Sequence, residues 1–522
     1  MKIFFCIVFF SCISSNKNFD ENSTETAKSN LYVIDLSRTY QTIRNFGASD
    51  CWTAQFFGNF PDEKRNRMAD WLFSMENQAD GQPRGIGLSL WRFNIGAGSA
   101  EQGENSYIPN ITRRAESFQS PDGTYDWTRH QGQRWFLKAA RQRGVEQFLA
   151  FSISPPIHMT LNGLANNKFR PEDGSFNIKD DKFDDFADFL VTVVDEIEKR
   201  EGIKFQYLSP FNEPEWNWGG NTTQEGTPAL MSEIAKTVRL IDEKISAKGL
   251  KTKILISESG QIDFLYTKNK LNGRDNQIER FFKPSSTEYV GNLEHLPKMM
   301  VAHSYWTATK EDIYAKRLAL RNKLNDYGLD YWQTEVCIMS NDKEIGGGGG
   351  KDLGMKTALY VARIIHYDLC IANAAAWQWW LGMTNSNYKD GLVYVRPNQN
   401  LTDGEISDSK LMWTVGNFSR FVRPGAKRVD VTCADRDVND PEGLMISSYI
   451  NEQEKTLVIV AVNYSTQKQK INFKIKNADI KSLIPYITSD TEGYNLKPVD
   501  VYNPNSEYLV PERAVVTFVG KF

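Results

Sequence analysis

Histidine is scarce in this chain: there are five in 522 residues, at His130, His158, His295, His303 and His366. So scattered a set does not supply the clustered His and Asp ligands of a metal-dependent barrel hydrolase, and no metal or other cofactor is expected. Cysteine is nearly as rare, at six. Cys6 and Cys12 fall in the N-terminal leader. Cys51, Cys337, Cys370 and Cys433 show no paired spacing, which excludes a disulfide framework or zinc site and leaves them as buried small apolar residues. Charge of one sign is not in excess, with a net value of −3, so neither nucleic acid nor an anionic membrane is expected as a partner. Long apolar runs are missing too. Ile3 to Phe10 is far below the roughly 20 residues of a spanning helix.

That short run follows Lys2 and precedes Ser11, Ser14 and Ser15, as in an export signal over residues 1–14. Two routes of processing stay open. One is cleavage after Ser14; the other is a lipid anchor at Cys12, with Phe9 where leucine is usual. Residues 15–30 are polar and read as a flexible tether. The expected location is therefore outside the cytoplasm: secreted, periplasmic or a cell-surface lipoprotein.

The chain is rich in aromatics, with 13 Trp, many beside Gly, Asn and Gln. About half suit a core; the rest suit stacking on the C–H faces of sugars. The length allows one large barrel plus a smaller module. Short apolar runs alternate with longer amphipathic ones from Thr42 to Trp380, the pattern of parallel strands and helices. Eight strands are predicted: Ile43–Ala48, Leu88–Ile95, Gln147–Ser152, Phe205–Ser209, Lys253–Ser257, Met299–His303, Tyr331–Thr334 and Ala374–Trp380. Helices are predicted over Asp181–Lys199, Ala229–Lys248, Glu311–Asp326 and Lys351–Asp368. After Trp413 come short alternating strands with Gly, Asn, Asp and Pro between them, a β-sandwich pattern. The expected architecture is α/β: a (β/α)8 TIM barrel over 41–415, an appended β-sandwich over 416–522, and a strand at 31–40 that joins the sandwich. Five glycines, Gly346–Gly350, are expected in a loop on the barrel mouth, as a solvated linker or a mobile lid.

Chemistry concentrates at strand ends. Glu213 ends the fourth strand in Ser209-Pro210-Phe211-Asn212-Glu213-Pro214, and Glu335 ends the seventh. Breaking an acetal takes two carboxyls, one protonated and one ionised. Glu213 is the candidate acid/base and Glu335 the candidate nucleophile, with Arg92 and Tyr305 as donors expected to lower its pKa. Retention needs the carboxyls about 5–5.5 Å apart, inversion roughly 6.5–9.5 Å. Asn212 and His303 are candidate contacts for sugar hydroxyls, and Asp50 and Trp52 follow the first strand. Period-two alternation puts Trp377 and Trp379 on one face, the candidate stacking pair, and Trp380 on the other. Glu258 ends the fifth strand, either as a third carboxylate on the substrate or as a partner for a nearby cation.

Ile43-Arg44-Asn45-Phe46-Gly47-Ala48-Ser49, Trp91-Arg92-Phe93-Asn94-Ile95-Gly96-Ala97-Gly98, Ser154-Pro155-Pro156, the Asn212-Glu213-Pro214 segment and Phe418-Ser419-Arg420-Phe421-Val422-Arg423-Pro424-Gly425 resemble glycoside hydrolase family 30 over nearly the whole mature chain. The start at Asn45–Ser49 and the Thr334-Glu335 pair resemble its endo-β-1,6-galactanase branch. That resemblance implies a metal-free retaining enzyme with Glu213 as acid/base and Glu335 as nucleophile. It implies a polysaccharide or oligosaccharide substrate, and a monomer is expected. β-1,6-Glucan and β-xylan are rival substrates. A non-catalytic surface glycan-binding protein is the alternative of another class, disfavoured by the presence of both carboxyls and Arg92.

Overall fold

The computed structural model describes residues 30–268, 270–271, 273–339 and 342–522. The expected export signal, the Cys12 anchor and residues 15–29 of the tether lie outside these.

The chain opens with β1 (Leu31–Thr42) and then lays down β2 (Asn45–Ser49), β3 (Leu90–Ile95), β4 (Gln147–Ser152) and β5 (Tyr207–Ser209). β6 (Lys253–Ile254), β7 (Ser257–Ser259), β8 (Met299–His303), β9 (Asp330–Glu335) and β10 (Ala376–Thr384) follow. Their order in the sheet is β6-β5-β4-β3-β2-β10-β9-β8-β7, with every pairing parallel. The two ends of that path are one extended segment: β6 pairs with β5, and β7, two residues on, pairs with β8. Between them Leu255 N–H bonds the Leu208 carbonyl at 2.9 Å, and Ile256 accepts from Val301 N–H at 3.0 Å. The sheet therefore closes into a barrel in which β6 and β7 together make the fifth position. Leu90–Ile95 is buried along its whole length, as a strand covered on both faces is, and is apolar apart from Arg92 and Asn94.

Helices clad the barrel. Phe183–Glu201 buries Phe186, Phe189, Leu190, Val193, Val194 and Ile197, the three- and four-residue spacing of a single face. It stops at Gly202, whose φ of 67° suits a residue without Cβ. The helix predicted from Lys351 begins at Met355. Asp352 explains the offset, since its carboxylate accepts from Thr357 N–H at 2.9 Å and Gly354 N–H at 2.9 Å, a cap outside the helix. No helix among the described residues is long and apolar enough to cross a membrane.

β11 (Gly391–Pro397) and β12 (Gly404–Ser407) form a hairpin on the edge of β10. The second, mostly β domain uses β13 (Lys427–Cys433), β14 (Leu444–Asn451), β15 (Thr456–Asn463), β16 (Gln469–Lys476), β17 (Ile484–Thr488), β18 (Lys497–Pro498), β19 (Tyr508–Val510) and β20 (Ala514–Lys521). β1 lies between β13 and β16, antiparallel to one and parallel to the other. The sheet rolls until its flanks meet, with the rings of Phe473 and Phe518 5.3 Å apart and those of Tyr508 and Phe518 4.9 Å apart.

The boundary expected between residues 415 and 416 falls inside a helix, Lys410–Ser419. That helix belongs to both domains: Asn417 donates to Thr517 Oγ1 at 3.0 Å, while Ser419 Oγ donates to the Ile86 carbonyl at 2.6 Å. Arg420 continues the seam, reaching the carbonyls of Ser74 and Gly85 at 2.9 Å and of Met75 at 2.6 Å. The Phe418–Gly425 motif is thus a structural seam between domains. Of the four cysteines in the described residues, Cys51 and Cys337 are buried, Cys370 and Cys433 only partly so, and none forms a disulfide.

Candidate active site

Three β-bulges shape the barrel mouth. Ser257 and Ser259 oppose Val301 and Ala302, so Glu258 is the extra residue of β7. Gln333 and Glu335 oppose Ala302 and His303, which makes Thr334 extra and sets Glu335 beside His303. Trp379 and Leu381 oppose Ala48 and Ser49, which makes Trp380 extra. A bulge re-aims the side chains around it. Glu213 and Glu258 also hold left-handed backbones, with φ of 46° and 57°, a costly conformation for a residue with a Cβ. Their backbones lock together, Glu213 N–H donating to the Glu258 carbonyl at 2.8 Å.

The result is a compact cluster. A carboxylate oxygen of Glu213, one of Glu335 and a ring nitrogen of His303 all lie within 4.8 Å of one another. Arg92 Nη1 donates to Glu335 Oε2 at 2.9 Å and Tyr305 O–H to Glu335 Oε1 at 3.0 Å. His303 bridges Glu213 Oε1 at 2.9 Å and Glu258 Oε2 at 3.2 Å. Glu258 also accepts from Ser209 Oγ at 2.6 Å and Thr334 Oγ1 at 2.5 Å, with Arg92 Nη2 3.8 Å away.

Burial opposes every charge here, and the neighbours decide the outcome. For Glu258, burial works upward, but Arg92 and His303 outweigh it and hold the carboxyl down at about 2. For His303, burial works downward, yet Glu335, Glu213 and Glu258 together raise the imidazole to about 10. It is a cation at neutral pH. Glu335 departs from expectation. Its donors are in place, but burial wins and raises the carboxyl, with the nearby Glu213 charge adding to the rise against His303 and Arg92. Two cations, Arg92 and His303, therefore serve three carboxyls. Two carboxyls this close can act on one bond from opposite ends.

Scarcity of histidine misled on one point. His303 does gather with two carboxylates, a set that would suit a cation by distance alone. The electrostatics oppose it. Arg92 already occupies the cation position at Glu335, and protonated His303 donates from both ring nitrogens, so neither is a lone-pair ligand.

The cluster floors a cavity of about 440 Å³. Its walls carry Trp52, Trp216, Trp218, Trp306 and Trp380, with Asn212, Arg113 and Asp390 as polar members. Trp52 Nε1, Trp216 Nε1, Asn212 Oδ1 and Asp390 Oδ1 are buried without a protein partner. Indole faces beside unpaired donors and acceptors suit a sugar, which offers C–H faces and a rim of hydroxyls. A larger cavity of about 550 Å³ adjoins it across Tyr305, Trp306, Cys337 and Met339 but lacks the carboxyl pair.

The sequence model of O-glycosyl hydrolase family 30 matches residues 29–394. The chain belongs to that family. Among curated relatives it is 25% identical over 462 residues to an endo-β-1,6-galactanase of Hypocrea rufa, covering 85% of this chain and 83% of the galactanase. It is 24% identical over 394 residues to a glucuronoxylanase of Bacillus subtilis, covering 74% of this chain and 78% of the xylanase. Among solved structures, a conserved exported protein from Bacteroides fragilis superposes with a TM-score of 0.86 at 35% identity, covering 94% of this chain and all of the other. The catalytic domain of a family 30 xylanase C from Talaromyces cellulolyticus gives 0.67 at 21% identity, again covering 94% and 100%. The last likeness is one of fold.

Within this family 30 hydrolase, Glu213, Glu335, Asn212, Trp52 and Tyr305 all line the cavity, with Arg92 beneath Glu335. Four other candidates do not reach it. His303 is fully buried behind the carboxyls and orders them instead of meeting a sugar. Asp50 is 1% exposed and is spent on the fold, accepting from Asn94 N–H at 2.9 Å and Gln133 Nε2 at 3.0 Å, while burial pushes it up to about 7. Trp377 and Trp379 are fully buried. Their indole N–H groups bond Asp368 at 3.0 Å and the Asp390 carbonyl at 2.8 Å. Alternation holds, with Trp377 and Trp379 on one face and Trp380 on the other, but the faces are reversed: Trp380 lines the cavity and the other pair fills the wall. Glu258 is the partner of a cation. Arg113, Trp306 and Asp390 were missed; Arg113 comes from a single 3-10 turn, Ile111–Arg113, and the other two from loops, none with a periodic signal.

Proposed function

We propose that this family 30 hydrolase is an exported endo-β-1,6-galactanase that works by double displacement with retention of configuration. The observation that carries the mechanism is the approach of the Glu213 and Glu335 oxygens to within 4.8 Å across one cavity. That spacing leaves no room for a water between carboxylate and sugar, as inversion needs. Glu335, with both oxygens held by donors, attacks the anomeric carbon and forms a glycosyl ester. Glu213, with 10% of its side chain exposed against 4% for Glu335, gives its proton to the departing glycosidic oxygen. It then takes a proton from the water that displaces Glu335 and restores the resting charge. Asn212 bonds a hydroxyl beside the scissile bond, a contact that strengthens as positive charge builds at the anomeric carbon.

Galactan as substrate rests on the likeness to the Hypocrea rufa galactanase over most of both chains. Xylan is the second reading, favoured by the Bacillus subtilis glucuronoxylanase at nearly equal identity. Export, free or through a lipid on Cys12, rests on the leader and on the likeness to an exported Bacteroides fragilis protein. The enzyme acts as a monomer. Parallel digests of β-1,6-galactan, β-1,6-glucan and glucuronoxylan, with anomeric products followed by NMR, test both parts. β-Galacto-oligosaccharides appearing first as the β-anomer are expected. Cleavage of glucan or xylan alone would overturn the substrate, and first-formed α-anomer the mechanism. In Glu213→Gln, binding of polymer persists while turnover is lost; undiminished turnover would remove Glu213 from its role.

A further inference from the structure

The buried carboxyl of Asp390 is unexplained by the chemistry above. It lines the same cavity as Glu213 and Glu335, is 3% exposed, and has an Oδ1 with no protein partner. Arg113, the cation that acts on it, is engaged elsewhere: its Nη1 donates to Thr223 at 3.0 Å and its guanidinium lies 5.2 Å from the Trp52 ring centre. Thr384 supplies the carboxylate with a hydrogen bond, but a buried carboxylate oxygen left open is costly, and such an atom inside a substrate cavity marks a ligand contact. Burial pushes Asp390 up to about 6, so it is ionised at neutral pH and a strong acceptor. Trp379 Nε1 holds its carbonyl at 2.8 Å, which ties it to the eighth barrel position, next to the strand of Glu335.

The glycine run is what holds this segment. Lys389 Nζ donates to the carbonyls of Gly347 and Gly349, both at 2.8 Å. Lys389 N–H bonds the Gly348 carbonyl at 2.8 Å, and Gly350 N–H bonds Asn387 at 2.9 Å. Gly346, Gly347 and Gly350 have φ of 77°, 75° and 77°, and a methyl at Gly348 would overlap the Tyr388 ring and the Ile338 carbonyl. The run is therefore neither a solvated linker nor a free lid. Its glycines are needed for left-handed backbone and for close approach.

We propose that Asp390 is a specificity-determining residue, its carboxylate accepting a hydrogen bond from one ring hydroxyl of the sugar bound against Glu335, and that Gly346–Gly350 is the clamp that fixes it. The proposal rests on the glycosidase reading but commits to no particular sugar. A fixed acceptor favours the epimer that aims a hydroxyl at it, and a sugar lacking that hydroxyl leaves the open oxygen unpaired.

Matched aryl β-glycosides of the preferred sugar, each missing one ring hydroxyl, test this against wild type, Asp390→Asn, Asp390→Ala and Gly348→Ala. Wild type should lose kcat/KM on one deoxy substrate by roughly tenfold or more. Both Asp390 variants should lose on the parent glycoside by a similar factor and no longer distinguish it from that deoxy substrate. Gly348→Ala should lose the same discrimination with Asp390 intact. Wild-type discrimination persisting at every ring position in Asp390→Ala would overturn the contact, and its persistence in Gly348→Ala would overturn the clamp. The wild-type rate on the parent glycoside reports on the glycosidase reading; the difference in discrimination reports on Asp390 alone.

Discussion

Arg92→Met removes a cation that touches Glu335 at 2.9 Å and stands 3.8 Å from Glu258, with no part of its side chain exposed. Three carboxyls would then share a single imidazolium. At an effective dielectric of about 20, a unit charge about 4 Å away is worth about 4 kcal/mol, or about 3 pKa units. Partial hydration of the vacated space reduces this for Glu335. Burial already raises that carboxyl, so losing the cation would raise it further. The pH–rate profile for kcat/KM should have its acid limb displaced upward, with activity in the weakly acidic range reduced relative to wild type. Global stability should fall by about 3–5 kcal/mol, because two buried carboxylates lose a partner. Arg92→Lys keeps the charge but loses the fork and should recover much of the limb position. Denaturant midpoints measured beside the profiles separate folding from titration. An acid limb unmoved in folded Arg92→Met would refute the assignment of Glu335 as the group that must be ionised.

Further expectations concern stability and the wall. His303 is raised from 6.5 to about 10, so its stabilising contribution is complete below pH 6.5 and disappears as pH rises through 10; in His303→Gln the loss of stability relative to wild type should shrink over that window in denaturant titrations. Glu258, lowered from 4.5 to about 2, contributes fully above pH 4.5 and loses its effect as pH falls through 2, so wild type should weaken steeply at that acid end while Glu258→Gln should not. Trp377→Phe leaves Asp368 without its 3.0 Å indole donor and should cost about 1–3 kcal/mol with KM unchanged, whereas Trp380→Ala should raise KM about five- to tenfold. A raised KM for Trp377→Phe with normal stability would restore it as a stacking residue. Arg420→Met strips donors from the carbonyls of Ser74, Gly85 and Met75 and should lower the unfolding free energy by about 3 kcal/mol or more with kinetics intact.

The alternation of short apolar runs with amphipathic stretches was enough to read the barrel, because parallel strands buried on both faces and helices buried on one leave periodic traces in the chain itself. The placement of acidic residues at the ends of such runs, as at Glu213 and Glu335, was readable for the same reason. So were Arg92 and Tyr305 as neighbours of Glu335, one within the second predicted strand and the other just past the sixth. What period two did not record is which face meets the cavity, and where a bulge falls. Trp377 and Trp379 share one face, as alternation has it, but that face is the buried one; Glu335 stands opposite His303 since one residue is extra in β9. The hydrogen bonds that decide a bulge come from strands distant in sequence, so no local pattern records them. The same holds for His303, whose charge depends on three carboxyls at positions 213, 258 and 335, and for Asp390, held by Lys389 against glycines some forty residues earlier. Composition and periodicity determined which elements form and which side chains reach the mouth of the barrel; ladder register and burial in the closed ring decided which of them meet there and which carry charge.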